Sequence, residues 1–418
     1  MNRLTAIVVI LAALSSAAAE DWPQFLGPQR DNISRETGLI DTFGEEGPTE
    51  LWSVKVGPGF AGPAARDGQV FLLDRKGDTD DVLRCFDLET GEELWNFAYA
   101  APGTLDYNGS RTTAAVDEEY VFTVGPFGHF HCISRETHQP VWSKHLLADF
   151  GAKRPNWGVS TSPLLYGDWV IVAPVGDKAG VIACDRATGE IVWQSQPIGS
   201  MEYASPMPAT IGGVEQILML AKRGNVINAV GIDAADGEVL WSYDGWSCGI
   251  EIPSPHPVGD GRVFLTGGYG AGSVMIQITG EGGSFSAEEV WRVGPEACGS
   301  QIHAPILKDG YLYVISNDNR EAGGLTCVDA ATGEIKWRTG RRPNFERGGI
   351  VMADGKLWVV DGRRATLTLV EPTPEEYREV ASHRVLSTRN AWAPLAVSNG
   401  RLLLRDQENL RCLDVRGE

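Results

Sequence analysis

Short apolar runs broken by turn residues recur along the whole chain, as in the stretches "QVFLL" (69–73), "DWVIV" (168–172), "RVFLT" (262–266), "YLYVI" (311–315) and "RLLL" (401–404). Each is a few residues long, is preceded by a Gly-containing turn and alternates or stays apolar, which is the pattern of a strand packed between other strands. Only scattered segments offer a 3.6-residue apolar period. The pattern predicts many short strands joined by tight turns, an all-β chain.

The strands come in a repeat. Trp52, Trp95, Trp142, Trp193, Trp241, Trp291 and Trp337 are spaced by 43, 47, 51, 48, 50 and 46 residues, the length of one four-stranded propeller blade. Eight residues before four of these tryptophans stands Asp87, Asp185, Asp233 or Asp329, with a Thr-Gly or Asp-Gly pair between, as in "ATGEIVW" (187–193). Gly supplies the positive φ of a hairpin turn, Asp caps its N–H groups, and Trp is expected to stack over the turn of a neighbouring blade. A second phrase, a small residue and Pro leading into an inner strand, recurs in "STSPLLYGDWVIV", "IPSPHPVGDGRVFL", "IHAPILKDGYLYV" and "WAPLAVSNGRLLL". Counting all such entries along the chain, with "AGPAARDGQVFLL" and the Pro-less versions near Thr113 and Gly349 included, gives eight. The eighth Trp position falls near Val380, where the motif has decayed.

The fold expected is therefore an eight-bladed β-propeller of four-stranded antiparallel blades. The last repeat stops just past Asp414 without its Trp strand, while "PTELWSVKV" (48–56) has one to spare. An N-terminal strand around Trp52 should complete the blade begun by the C-terminus and leave no open edge in the ring. The first 19 residues read as a signal peptide cleaved near Ala19, leaving 20–418 as a single propeller domain, exported to the periplasm or beyond. No stretch reaches the roughly 20 apolar residues of a transmembrane helix. A monomer is expected.

Asp185, Thr188, Gly189 and Trp193, with Ala183, resemble the tryptophan-docking motif of the quinoprotein alcohol dehydrogenases. The chain as a whole is similar to the pyrroloquinoline quinone (PQQ)-like repeat propellers, and "DWPQFLGPQRDNIS" (21–34) resembles the leader of exported members. The resemblance implies the propeller fold and leaves two functions. The family holds PQQ-dependent dehydrogenases, and it holds cofactor-free binding proteins such as the propeller subunit of the outer-membrane β-barrel assembly machine. The chain lacks the adjacent cysteine pair of the larger dehydrogenases, and it has no cysteine before Cys85 to carry a lipid.

A formal charge of −19 argues against nucleic acid as a partner. Five of the seven cysteines, Cys85, Cys132, Cys184, Cys327 and Cys412, are assigned to one buried strand register. Cys248 and Cys298 precede Pro255 and Pro305 at matching distances, and a bridge between them stays open. His129 and His131 share a strand face that could begin a metal site, but their register predicts a solvent-facing position without a third ligand. The acidic "DRKGDTDD" (74–81) lacks calcium-loop spacing and reads as a solvated hairpin tip.

Phosphate loops and Cys-x-x-Cys pairs are missing from the sequence. The candidate site is the ring of loops before the inner strands, which converge on one mouth of the axial channel. Aligned on the Pro or its substitute, they supply Arg111, Glu202, Glu251, Gln301, His303, Glu346, Arg347, Arg389 and Asn390, with Trp157 and Trp392 as flat walls. No catalytic residue and no metal ligand is assigned. The leading expectation is a non-catalytic binding or scaffold protein with no cofactor, holding a protein or small ligand at this mouth. The alternative is a PQQ-dependent oxidoreductase acting on an alcohol or sugar. There Glu and Asn would hold calcium, Arg would polarise the quinone and a carboxylate would act as base.

Overall fold

The computed structural model describes residues 20–317 and 323–417, so the expected signal peptide lies outside the described residues. Among these residues the strands form eight sheets arranged as propeller blades, with a single short helix, Leu146–Phe150. Blades 1 to 6 span 64–100, 115–145, 164–194, 207–246, 256–293 and 306–338. Blade 7 spans 350–384, and blade 8 joins 396–414 to the N-terminal strand Thr49–Lys55. That strand pairs antiparallel with Asn409–Asp414, Trp52 opposite Cys412, so the ring closes as expected from the two ends of the sequence.

The repeated phrase does what its residues dictate. Asp87 Oδ1 accepts hydrogen bonds from the Glu89 and Thr90 backbone N–H groups, at 3.0 and 2.8 Å, and Asp185, Asp233 and Asp329 cap their turns alike. The turn glycine is needed twice over: Gly189 has φ +71°, and a Cβ there would lie 2.5 Å from the Trp142 ring. Each docked indole also donates Nε1–H to a carbonyl of the next blade. Trp52 bonds Leu88, Trp142 bonds Arg186, Trp193 bonds Ala234, Trp291 bonds Ala330 and Trp337 bonds Thr373, at 2.7 to 3.1 Å. Trp95 instead stacks on His138, centroids 4.6 Å apart, because blade 2 has His at the turn position that is Gly in blades 1, 3, 4 and 6. Trp241 bonds Gln216 of its own blade, at 2.7 Å, since blade 5 turns through Glu281–Ser284 without the docking phrase.

Every outer strand carries a β-bulge one residue before the tryptophan position. Trp95 pairs with Cys85 and Glu93 with Phe86, so Leu94 has no partner and is turned outward, 44% exposed. Leu51, Val141, Val192, Val290 and Val380 are exposed for the same reason. The bulges twist and interrupt the outer edge of each blade. Two registers differ from the expectation. The eighth tryptophan position is Ala381, opposite Leu369, and Val380 is the bulge. Cys184 lies one residue out of the cysteine register, because Ala183 is the residue opposite Trp193. All seven cysteines are buried and free, so Cys248 and Cys298 are not bridged.

Two other local expectations are overturned. His131 packs between blades, its ring 4.4 Å from that of Tyr99 and 5.6 Å from that of Phe97. His129 stacks beside it, and no group of three metal-binding side chains is found among the described residues. Burial pulls the His131 pKa from 6.5 down to about 4, helped by His129. A lowered pKa in the folded state favours the neutral ring, so its stabilising effect is present above pH 6.5 and is lost as pH falls from 6.5 towards 4. His131→Phe, which keeps the stacking, should flatten the decline of unfolding free energy in that interval by up to about 1.4 kcal/mol per pH unit. Urea denaturation at pH 7, 5.5 and 4.5 reads it; parallel pH profiles would put His131 in solvent. In the acidic hairpin, only the tip is exposed. Asp74, Arg75 and Asp81 are buried, and Arg75 pairs with Asp81 at 2.7 Å while donating to the Ala101 and Gly103 carbonyls. The segment thus anchors the loop after blade 1.

The leader is the largest feature that the repeat pattern does not contain. Trp22, 1% exposed, exchanges backbone hydrogen bonds with Ala65 of blade 1, and Pro23 accepts from Val116 of blade 2. Gln24 accepts from Leu165 and Arg30 donates to Pro163 at 2.8 Å, both in blade 3 or its approach. Ile33–Ser34 then adds a parallel fifth strand to Ile350–Ala353 of blade 7. A segment that touches blades 1, 2, 3 and 7 must run across the axis.

Candidate functional site: the axial pocket

Where the innermost strands begin, the loops before them enclose a cavity of about 160 Å³ on the axis. Its base is built by the small residues that precede the inner strands. Ser162 Oγ accepts from Thr113 N, Ser205 Oγ from Ser162 N and Ser254 Oγ from Ser205 N, at 2.9 to 3.1 Å. A serine hydroxyl of each blade thus satisfies a backbone donor of the one before, and three seams are locked edge to edge. Phe25 and Leu26 of the leader complete the lining from the axis.

The walls are aromatic. Phe60 and Trp392 stack with centroids 5.3 Å apart, and Trp157 stacks on Tyr203 at the same distance. Tyr107, 54% exposed, stands between the two stacks and touches Phe60, Trp157 and Trp392 edge-on or tilted. Tyr269 adds a further ring beside Trp157. Two guanidiniums lie over ring faces: Arg111 over Phe60 at 5.6 Å and Arg347 over Trp392 at 5.1 Å.

Arg111 donates to the carbonyls of Asp106, Tyr107 and Gly109, and it has no carboxylate partner among the described residues. Burial draws its pKa down to about 10, with Arg154 and Arg75 adding like charge. His303 is 5% exposed and its Nε2 lies 3.1 Å from the Arg347 carbonyl. Burial holds its pKa at about 4, so the ring is neutral at pH 7. The pocket therefore offers ring faces, hydroxyls, a neutral imidazole and cationic groups. No carboxylate lines it among the described residues.

The eleven residues proposed from sequence divide accordingly. Arg111, Trp157, His303, Arg347 and Trp392 line one cavity. Glu346 stands behind that wall: its Oε2 accepts from Trp392 Nε1 at 2.7 Å and it pairs with Arg347, so it positions both. Gln301 is 1% exposed, its backbone N–H bound to Asn317 Oδ1. Asn390 gives its carbonyl to Gln407, and Arg389 is exposed on the rim. Glu202 faces Lys222 at 3.6 Å.

Glu251 is fully buried with neither carboxyl oxygen hydrogen-bonded, so it is no surface for a ligand. Burial, then the Glu202 charge, pushes its pKa well above 4.5. A raised folded pKa gives a contribution that is present below pH 4.5 and is lost as pH rises. Glu251→Gln should therefore gain stability over the parent as pH goes from 4 to 8, read as a growing difference in melting temperature. A constant difference would mean that Glu251 is ionised in the fold.

The sequence reading missed Phe25, Leu26, Phe60, Tyr107, Tyr203, Tyr269 and the serine row. Ser-Pro in three consecutive repeats was a visible signal. So was an aromatic residue three places before the Pro at Phe60 and Tyr203.

The donor set also tests the PQQ–calcium alternative. Calcium takes six to eight oxygen ligands, several of them carboxylate. Here Glu202 is held by Lys222, Glu346 by Arg347 and Trp392, and Glu251 is sealed in the interior. These oxygens do not converge, and the residues present do not fit that group.

Comparison with known proteins agrees on the fold. The structure is similar to BamB from Moraxella catarrhalis, with 14% identity, TM-score 0.58, and 88% of this chain and 99% of that one covered. It is similar to a europium-containing methanol dehydrogenase, with 11% identity, TM-score 0.61, and 93% and 90% covered. It is also similar to a computationally designed protein, Ika8, with 12% identity, TM-score 0.56, and 88% and 100% covered. No curated protein matches the sequence. The family model described as outer membrane protein assembly factor BamB matches residues 79–339, more than half of the chain. With its PQQ-like repeats closed into an eight-bladed ring, the chain belongs to that family.

Proposed function

We propose that the protein is an exported, non-catalytic propeller that binds a ligand or a projecting group of a partner protein in the axial pocket. The observation that carries this reading is the lining itself: aromatic walls and cationic groups, with no carboxylate among the described lining residues to serve as general base or metal ligand. Such a lining binds by stacking and charge, and it lacks the acid–base pair that oxidation of an alcohol needs. Export is supported by the apolar N-terminal run, and a protein-binding role by the description of the family. No helix among the described residues is long and apolar enough to cross a membrane.

The test is incubation of the mature protein with PQQ and calcium, followed by dye-coupled oxidation of alcohols and sugars. No turnover is expected. Turnover that disappears in Arg111→Ala or Trp157→Ala would overturn the reading and restore the oxidoreductase.

A further inference from the structure

The leader is the sequence motif that the binding reading leaves unused, and its path gives it a role in the pocket. Phe25 and Leu26 belong to the cavity lining although they come from no blade. Leu26 is held at φ +62°, a conformation unfavourable for a residue with a branched side chain. The Asn32 N–H bonds its carbonyl at 2.9 Å, and Gly27 N–H bonds the Gln24 carbonyl at 3.0 Å, so the turn is enforced by the leader's own bonds. Backbone strain kept in place this way collects where a side chain must point somewhere particular.

Directly behind this floor lies Arg30, 1% exposed. Its guanidinium carbon sits 5.5 Å over the Phe25 ring, and it donates to the carbonyls of Pro163 and Ser162 at 2.8 and 3.5 Å. Ser162 is itself a lining residue, so the charge is one residue away from the cavity. No carboxylate pairs with Arg30 among the described residues, and its Nε has no hydrogen-bond partner. Burial lowers its pKa to about 9, which leaves it charged at neutral pH. A cation in a poorly screened interior acts over a longer range than one at the surface.

We propose that the leader, residues 22–34, is a fixed plug that turns the axial channel into a blind, anion-selecting pocket, with Phe25 and Leu26 as its floor and Arg30 as the buried charge beneath. The ligand class is a small organic anion with a flat apolar body, held by ring stacking and by guanidiniums without a metal ion. The body of the protein is acidic, so the positive floor and mouth reverse the field locally and draw such an anion inward. This inference rests on the axial mouth being a binding site.

A thiol placed in the floor tests it without knowledge of the ligand. The seven native cysteines are buried, with thiols pushed up by burial, and form a silent background. Phe25→Cys, with Leu26→Cys as second reporter, is treated with anionic sulfonatoethyl or cationic trimethylammonioethyl methanethiosulfonate. Each reagent forms a mixed disulfide and releases methanesulfinate. Normalised to free cysteine, the anionic reagent should react roughly 10-fold faster or more, and Arg30→Met should cut that ratio several-fold. No labelling of either reporter would place the leader outside the pocket. An equal or cationic preference would overturn the anion selectivity, and a ratio unmoved by Arg30→Met would remove Arg30 from it. Labelling as expected in a protein that oxidises alcohols with PQQ would sink the proposed function and leave the plug standing.

Discussion

A chain that starts at Gly57 should fail to form a closed ring. Removing 20–56 strips blade 8 of its outer strand, exposes the Asn409–Asp414 edge and leaves the Leu88 carbonyl of blade 1 without its indole donor. Blade 7 loses its fifth strand and the axis loses the leader. Loss of one buried tryptophan alone costs about 3 to 5 kcal/mol, against a total stability of roughly 5 to 15 for a folded domain. The expected result is aggregation, or a melting temperature lower by about 10 °C or more, in calorimetry or light scattering. Deletion of 20–34 alone separates the two contributions, because it keeps the Thr49–Lys55 strand and should leave a closed, less stable ring. If the chain lacking 20–56 melts with the full one, the terminal strand does not close the propeller.

Trp193→Ala should be the most damaging single substitution in a blade seam. The ring is 6% exposed, lies against Gly237 of blade 4 and donates to the Ala234 carbonyl at 3.0 Å. Truncation opens a cavity between blades 3 and 4 and leaves that carbonyl unbonded, at a cost of about 3 to 5 kcal/mol. Val192, one residue earlier, is the bulge and is 48% exposed, so Val192→Ala should change stability by less than about 0.5 kcal/mol. Urea denaturation of the pair gives the contrast directly. Equal effects at the two positions would refute the bulge register, and with it the docking of Trp193.

Both outcomes concern features that can be read along the chain. The docking phrase is local: Asp caps, Gly takes the positive φ, and Trp follows at a fixed distance, so composition and spacing suffice to count blades. Closure could be read as well, because a spare Trp strand at one end matched a missing one at the other. The errors lie at single-residue resolution. Val380 is expected at the tryptophan position that Ala381 holds, because a bulge adds a residue without changing the pattern of apolar positions, and Cys184 stands one residue closer to its Asp than the other four cysteines of that set do to theirs or its substitute. His131 has the alternation of an outward residue, yet the preceding blade covers it with Phe97 and Tyr99.

The sequence by itself thus determined the all-β class, the blade number, the docking turns and the mouth at which polar loops gather. Which side chains meet there was decided only in three dimensions. Trp157 stands six residues before its Pro and Trp392 two before its own, yet both wall one cavity, because loops of unequal length converge on an axis and share no common register. Glu202 and Glu251 each stand four residues before their Pro, but Glu202 faces Lys222 and Glu251 is sealed inside. The leader belongs to no repeat, and its place as the floor follows from hydrogen bonds to blades 1, 2, 3 and 7 that are hundreds of residues apart in sequence for the last of them. Local propensity acts over a few residues and fixes the blade. The axis is made by the ends of every blade at once, so its chemistry exists only after the ring has closed.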